Sequence, residues 1–311
     1  MSPSTAGPVF PDGGFNEALR EALPGPLVEL LEVATHLGDG AFLIVLAVLL
    51  YWFGREERRE VRAFVIAIGI AALALSVGLK GIFEVPRPDL AFAPEGYGGF
   101  SFPSAHAMGA AALYAALATV MDLGSRRARY VIAGTLIVVV ALSRVVMGVH
   151  YLADVIVGAA LGLALVTVGI RYLKRQPGPV FVLAFAIAVV AVLLGSRAFV
   201  TLSVGAALGG AAGWYLVKER PASRNGASIL VLGVLLLPAV LVIRVLSGVV
   251  PTPSLATPAE VLAETLAYAV ATGAVLAVPY MARELDDWPV VERLQDALPF
   301  RDRRVDFEEV G

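Results

Sequence analysis

The 311-residue chain contains no cysteine, which excludes disulfide staples, thiolate metal sites and cysteine nucleophiles together. Charge is scarce as well: 16% of residues are charged, against about a quarter in soluble domains. With 24 basic and 26 acidic residues the net charge is −2. There is thus no excess of positive charge to recruit nucleic acid and no long acidic tail to keep the chain disordered. Residues 1–14 lack both a basic stretch and an apolar core, so they do not read as a cleavable signal peptide, and the first span is expected to act as the insertion signal. Apolar residues fill the space left by charge: 58% are hydrophobic, and the mean hydropathy is +0.80. This composition predicts an all-α integral membrane protein.

A bilayer core about 30 Å thick takes about 20 apolar residues in helical form. Nine stretches approach or meet that length: 38–53, 63–83, 104–121, 130–147, 151–172, 180–196, 199–217, 228–249 and 260–281. Upstream, Phe15, Leu19, Leu23, Leu27, Leu30 and Leu31 recur at three- and four-residue steps among Glu17, Arg20, Glu21 and Glu29, with Pro24 and Pro26 as a break. That pattern predicts short amphipathic helices on the membrane surface over residues 1–37. The stretch around Arg175, Pro177, Gly178 and Pro179 marks a boundary between a bundle over 38–173 and a second bundle over 180–281, with a tail over 282–311.

Basic residues accumulate in short cytoplasmic loops, and here they are one-sided. Arg55, Arg58, Arg59 and Arg62 follow the first span, Arg126, Arg127 and Arg129 the third, and Arg171, Lys174 and Arg175 the fifth. Lys218, Arg220 and Arg224 follow the seventh, and Arg283, Arg293, Arg301, Arg303 and Arg304 lie in the tail. The expected orientation in the cell membrane is N-terminus outside and C-terminus cytoplasmic. Glycines four apart, Gly158 with Gly162 and Gly205 with Gly209, allow helix backbones to approach closely, within one chain or between two copies of a homo-oligomer.

Ionisable groups at membrane depth are costly and point to function, and they gather at the outer ends of the spans. Lys80 closes the second span, and Arg87 and Asp89 follow in an outer loop. The third span opens Phe102-Pro103-Ser104-Ala105-His106; Ser143-Arg144 ends the fourth; His150 precedes the fifth, with Asp154 four residues on. Two guanidinium forks and an ammonium suit a phosphate-like anion, and the first N–H groups of the helix after Ser104 add a second anion-binding device. An aspartate bonded to one ring nitrogen of a histidine leaves the other free to attack, which His150 and Asp154 can arrange; a carboxylate from elsewhere would serve as well. His106 is then available as general acid. His36, the third histidine, belongs to none of these motifs, and Thr35 to Gly40 reads as a turn before the first span.

Lys80 with six residues before Arg87-Pro88, then Pro103-Ser104-Ala105-His106, then Ser143-Arg144 with five residues before His150 and three more before Asp154, resemble the three-part signature of the type 2 phosphatidic acid phosphatase (PAP2) family, related to the vanadium haloperoxidases. The resemblance covers about residues 35–173. It implies that Lys80, Arg87, Arg144, Ser104 and the N–H of Ala105 bind the phosphoryl group, and that His150 attacks phosphorus to form a phosphohistidine. It also implies that Asp154 orients His150, that His106 protonates the leaving oxygen, and that no metal or cofactor takes part. Ala105 stands where that family usually has glycine; it keeps the N–H but resists positive φ.

The expected function is hydrolysis of a lipid phosphomonoester or polyprenyl diphosphate at the outer face, the substrate being held in the bilayer. Two alternatives remain at this stage: transfer of the phosphoryl group to an acceptor other than water, and transport of an anionic lipid by a second bundle fused to a phosphatase. A transporter places its binding groups near the midplane on interrupted helices, and Pro238 and Pro279 interrupt the later spans. Arg197, Arg244, Glu260 and Glu264 fall toward the outer face of the second bundle, where they would pair with one another or hold a headgroup.

Overall fold

In a computed structural model, residues 13–54, 59–90, 98–194, 199–223, 225–236 and 257–297 are described, and among them every regular element is helical. Two short helices, α1 (Gly14–Ala22) and α2 (Gly25–Ala34), lead through a 3₁₀ turn (Thr35–Gly38) into α3 (Gly40–Phe53). Then follow α4 (Arg59–Phe83), α5 (Ala105–Val120), α6 (Arg126–Val146) and α7 (Leu152–Arg171). The remainder comprises α8 (Pro177–Leu193), α9 (Val200–Val217), α10 (Gly226–Leu236), α11 (Pro258–Met281) and α12 (Pro289–Ala297).

The helix boundaries are written locally. Ser104 caps α5, its Oγ accepting from Ala107 N at 3.4 Å, and Ser125 caps α6 through Ala128 N at 3.2 Å; a hydroxyl at this position satisfies an orphan N–H. Thr257 and Glu260 form a reciprocal capping box at the start of α11, with Pro258 in the first turn. Glu260 is thereby engaged at its own helix end, while Arg197 and Arg244, its expected partners, lie outside the described residues, as does Pro238.

Among the described helices, α4, α6, α7, α9 and the stretch Pro258–Leu285 are long and apolar enough to cross a bilayer, and Gly25–Gly38 with Gly40–Phe53 forms a pair bent by 54°. α5, α8 and α10 are shorter apolar helices. Large apolar side chains are open on the outside of the bundle, including Ile44, Ile132, Ile156, Val182, Leu216 and Val270. This is the surface of a protein whose solvent is lipid, since a water-facing domain would not leave so much apolar area uncovered.

α4 is the most enclosed of the long spans. Ala63, Ala67, Ala71 and Ala74 are fully buried along it, small enough for α5 to pack on one side and α8 and α9 on the other. The paired glycines serve contacts within the chain. A Cβ at Gly158 would lie 2.7 Å from Ser104 O, and one at Gly162 would lie 2.4 Å from Met108 O. The α7 backbone thus rests directly on α5. Gly209 meets the Ala269 carbonyl in the same way, joining α9 to α11.

Candidate active site

Four helix ends converge on one side of the bundle: the C-termini of α4 and α6 and the N-termini of α5 and α7. The Ser104 N–H donates to Asp154 O at 3.0 Å, tying the start of α5 to the first turn of α7. This is the contact that the glycine-lined approach of α7 makes room for.

His150 lies between α6 and α7, 2% exposed. Its Nδ1 is 3.1 Å from Asp154 Oδ2, and its Nε2 is 3.2 Å from Arg87 Nη1. A guanidinium has no acceptor, so Nε2 must carry the lone pair and Nδ1 the proton. Asp154, fully buried, is held in turn by the Tyr151 N–H at 2.9 Å and by the Ser101 hydroxyl, which donates to Oδ2. Burial pushes the His150 pKa down to about 3; the hydrogen bond to Asp154 opposes this, and the Arg87 and Lys80 charges add to the fall. The ring is therefore neutral at physiological pH, with Nε2 turned toward Arg87.

Arg87 and Lys80 are fixed by backbone carbonyls and Arg144 by a hydroxyl. Arg87 Nη1 donates to Val149 O at 2.7 Å and Nε to Gly98 O at 3.1 Å. Lys80, in the last turn of α4, donates to Phe100 O and to Ser101 O, the latter at 3.2 Å. Arg144 is fully buried in the last turn of α6, its Nη1 donating to Thr35 Oγ1 at 2.8 Å. Neutral oxygens of the backbone and of Thr35 thus hold these three side chains in the orientations seen here.

Ala105 opens α5 and is exposed, its N–H one of the orphan donors of the helix start. It is absent from the residues with left-handed backbone, so alanine fits here without strain. His106, one residue on, places Nε2 2.8 Å from Asp39 Oδ1, and Asp39 Oδ2 takes His36 Nδ1 at 2.6 Å.

Lys80, Arg87, His150 and Asp154 thus form one bonded cluster, joined to Ser104 and Ala105 through Asp154 O. Arg144 is joined through its own loop, Val149 N donating to Arg144 O at 3.3 Å. Four contributors escape sequence reasoning. Ser101 steadies Asp154; Thr35 and Asp39, read only as a turn, hold Arg144 and His106. The fourth is Asn16, 1% exposed, whose Nδ2 donates to Val145 O at 2.8 Å and His150 O at 2.9 Å. α1 is therefore a clamp on the loop that carries His150 and not only an amphipathic surface element. Its adjacent Arg20 donates to Val146 O at 3.0 Å and pairs with Glu32 at 2.9 Å.

Known proteins similar to this chain are phosphatases. Residues 60–177 match the family model described as PAP2 superfamily, a range that holds every site residue from Lys80 to Asp154. The chain is 37% identical over 148 residues to phosphatidylglycerophosphatase B of Bacillus subtilis (strain 168), a match covering 45% of this chain and 71% of that protein. It is 34% identical over 133 residues to decaprenylphosphoryl-5-phosphoribose phosphatase of Mycobacterium tuberculosis (strain CDC 1551 / Oshkosh), covering 41% of this chain and 70% of the relative. Among solved structures it is similar to a transmembrane PAP2 type phosphatidylglycerolphosphate phosphatase from Bacillus subtilis, at 31% identity and a TM-score of 0.47, covering 53% of this chain and 85% of that one. The chain belongs to the PAP2 superfamily.

Proposed function

We propose that this phosphoric ester hydrolase removes phosphate from a lipid phosphomonoester or polyprenyl diphosphate at the outer face of the cell membrane, through a phosphohistidine on His150. The observation that carries the reading is the pair of contacts on His150, Nδ1 to Asp154 and Nε2 to Arg87. Together they present a neutral, oriented nucleophile to the centre of a cationic pocket.

In the proposed reaction the phosphoryl oxygens engage Arg87, Arg144, Lys80 and the Ala105 N–H. The Nε2 lone pair forms a bond to phosphorus as the bond to the leaving oxygen breaks, and protonated His106 gives that oxygen its proton. Because Nε2 of His106 is bonded to Asp39, Nδ1 is the atom left for the transfer. In the second half, His106 takes a proton from water, whose oxygen attacks phosphorus; the N–P bond breaks, and orthophosphate leaves with His150 neutral again. Developing negative charge on the equatorial oxygens meets donors already in place, which is where most of the rate enhancement arises.

The chemistry sits at helix ends, not at the midplane, which favours hydrolysis over transport. The outer placement rests on the basic residues of the loops at the opposite ends of the same helices. The test is phosphate release by purified protein from phosphatidic acid, phosphatidylglycerol phosphate and a polyprenyl diphosphate, with and without chelator. Release from at least one that His150→Ala abolishes and chelator leaves unchanged supports the reading; a requirement for added metal ion overturns the mechanism.

A further inference from the structure

At the far end of α4 from Lys80 the chain carries a second cationic cleft. The two ends are separated by 21 residues of helix, roughly 30 Å at 1.5 Å per residue, which places the cleft at the opposite membrane face. It has a volume of about 370 Å³ and lies where the start of α4, the segment following α9 and the last turn of α11 meet. Arg59, Lys218 and Arg220 supply positive charge; Glu60 and Glu219 supply negative charge, and Tyr280 closes one side.

Arg59 is the unusual member. It is 4% exposed, and among the described residues none of its three guanidinium nitrogens has a hydrogen-bond partner. Its guanidinium carbon lies 5.9 Å from the centroid of the Tyr280 ring, a contact that uses the π-face of the fork and none of its N–H donors. Glu60 and Glu219 do not compensate it: both are exposed, and Glu219 pairs with Lys218 at 3.5 Å. An arginine cannot shed its proton, and an unpaired buried charge is among the most expensive features a fold can hold. Such a group is retained where a ligand completes it.

We propose that this cleft binds a phosphate group, as the headgroup of an anionic lipid in the leaflet opposite the active site or as free phosphate. The guanidinium fork matches two oxygens of one phosphate. Lys218 and Arg220, exposed at the rim, can swing onto the remaining oxygens. Basic pockets between transmembrane helices at the cytoplasmic side are suited to headgroups for the same reason. The site joins the helix that ends in Lys80 to α9 and α11, so occupancy ties the C-terminal helices to the catalytic ones.

Because the chain has no cysteine, Ala222→Cys, at the cleft wall, accepts a single environment-sensitive dye that reports on this site and not on the catalytic pocket. The labelled full-length protein is titrated with orthophosphate in detergent, and separately reconstituted in phosphatidylcholine nanodiscs with or without phosphatidylglycerol, which is not a phosphomonoester. A saturable response to orthophosphate identifies free phosphate; a response only to phosphatidylglycerol identifies a headgroup. Either must disappear in Arg59→Leu and weaken at least about tenfold in Lys218→Ala/Arg220→Ala, as loss of charge-assisted hydrogen bonds requires. The double variant alters exposed side chains only, and it decides the question if Arg59→Leu does not fold. No response to either ligand, or a response that these substitutions leave unchanged, overturns the proposal.

Discussion

Asp39 Oδ1 lies 2.8 Å from His106 Nε2, across 67 residues of sequence, so the histidine expected to protonate the leaving group is held by a carboxylate from the turn before α3. The carboxylate holds the ring in one orientation, which leaves Nδ1 as the atom for proton transfer. Asp39→Asn is expected to lower kcat on a lipid phosphate by about tenfold or more, with a much smaller loss on nitrophenyl phosphate, whose leaving group needs no proton. Equal losses on the two substrates would assign Asp39 a structural role only.

The same comparison separates the roles proposed for His150 and His106. His150→Ala is expected to abolish turnover of both substrates, since the proposed attack depends on its Nε2, while His106→Ala keeps measurable activity on nitrophenyl phosphate. Steady-state rates on the two substrates decide it. Residual lipid hydrolysis by His150→Ala above the uncatalysed rate would contradict the assignment.

Asn16 joins α1 to the His150 loop through Val145 O and His150 O. Val145 O keeps the Gly148 N–H, while removing the donor from His150 O costs about 1–3 kcal/mol. Asn16→Ala should therefore lower the thermal midpoint and also kcat, because the loop that relaxes carries the proposed nucleophile. A variant with lowered midpoint but unchanged kcat would show that α1 braces the fold without positioning His150.

The His150 ring adds a pH signature. Its pKa falls from 6.5 to about 3 on folding, so between those values the unfolded chain binds a proton that the folded chain refuses, and stability rises with pH across that window. The thermal midpoint is expected to fall as pH is lowered from 6.5 toward 4, and to fall less steeply in His150→Asn. Parallel curves for the two proteins would show that the histidine is not buried neutral.

Much of this site is legible before folding because the groups proposed to bind and transfer phosphate lie in short runs at set spacings: Lys80 to Arg87, Pro103 to His106, Arg144 to Asp154. Apolar length marks the spans by composition alone, and the glycine pairs mark the helix contacts at α5 with α7 and α9 with α11. The supporting residues carry no such pattern. Thr35 reaches Arg144 across 109 positions, and Asn16 reaches His150 across 134; each is a single polar residue in an ordinary amphipathic or turn sequence, given meaning only by the tertiary packing of α1 and α2 on α6. Ser101 had a weak signal, as a hydroxyl three residues before the cap of α5, but its partner Asp154 is 53 residues away.

Sidedness follows from labelling. Gly98→Cys, beside Arg87, is expected to react with an impermeant thiol reagent in intact cells, whereas Leu123→Cys, at the exposed turn between α5 and α6, reacts only after permeabilisation. The reverse pattern would put the active site at the cytoplasmic face, with the same residues acting on inner-leaflet lipid.

The central claim is the covalent intermediate, and rapid quenching tests it most directly. Protein mixed with a substrate radiolabelled at phosphorus and quenched in alkali within the first turnover should carry one acid-labile, alkali-stable phosphate, mapped by peptide sequencing to His150 and missing in His150→Ala. Label on another residue, or burst-free turnover with no protein-bound phosphate at any quench time, would contradict the account and favour direct attack by water.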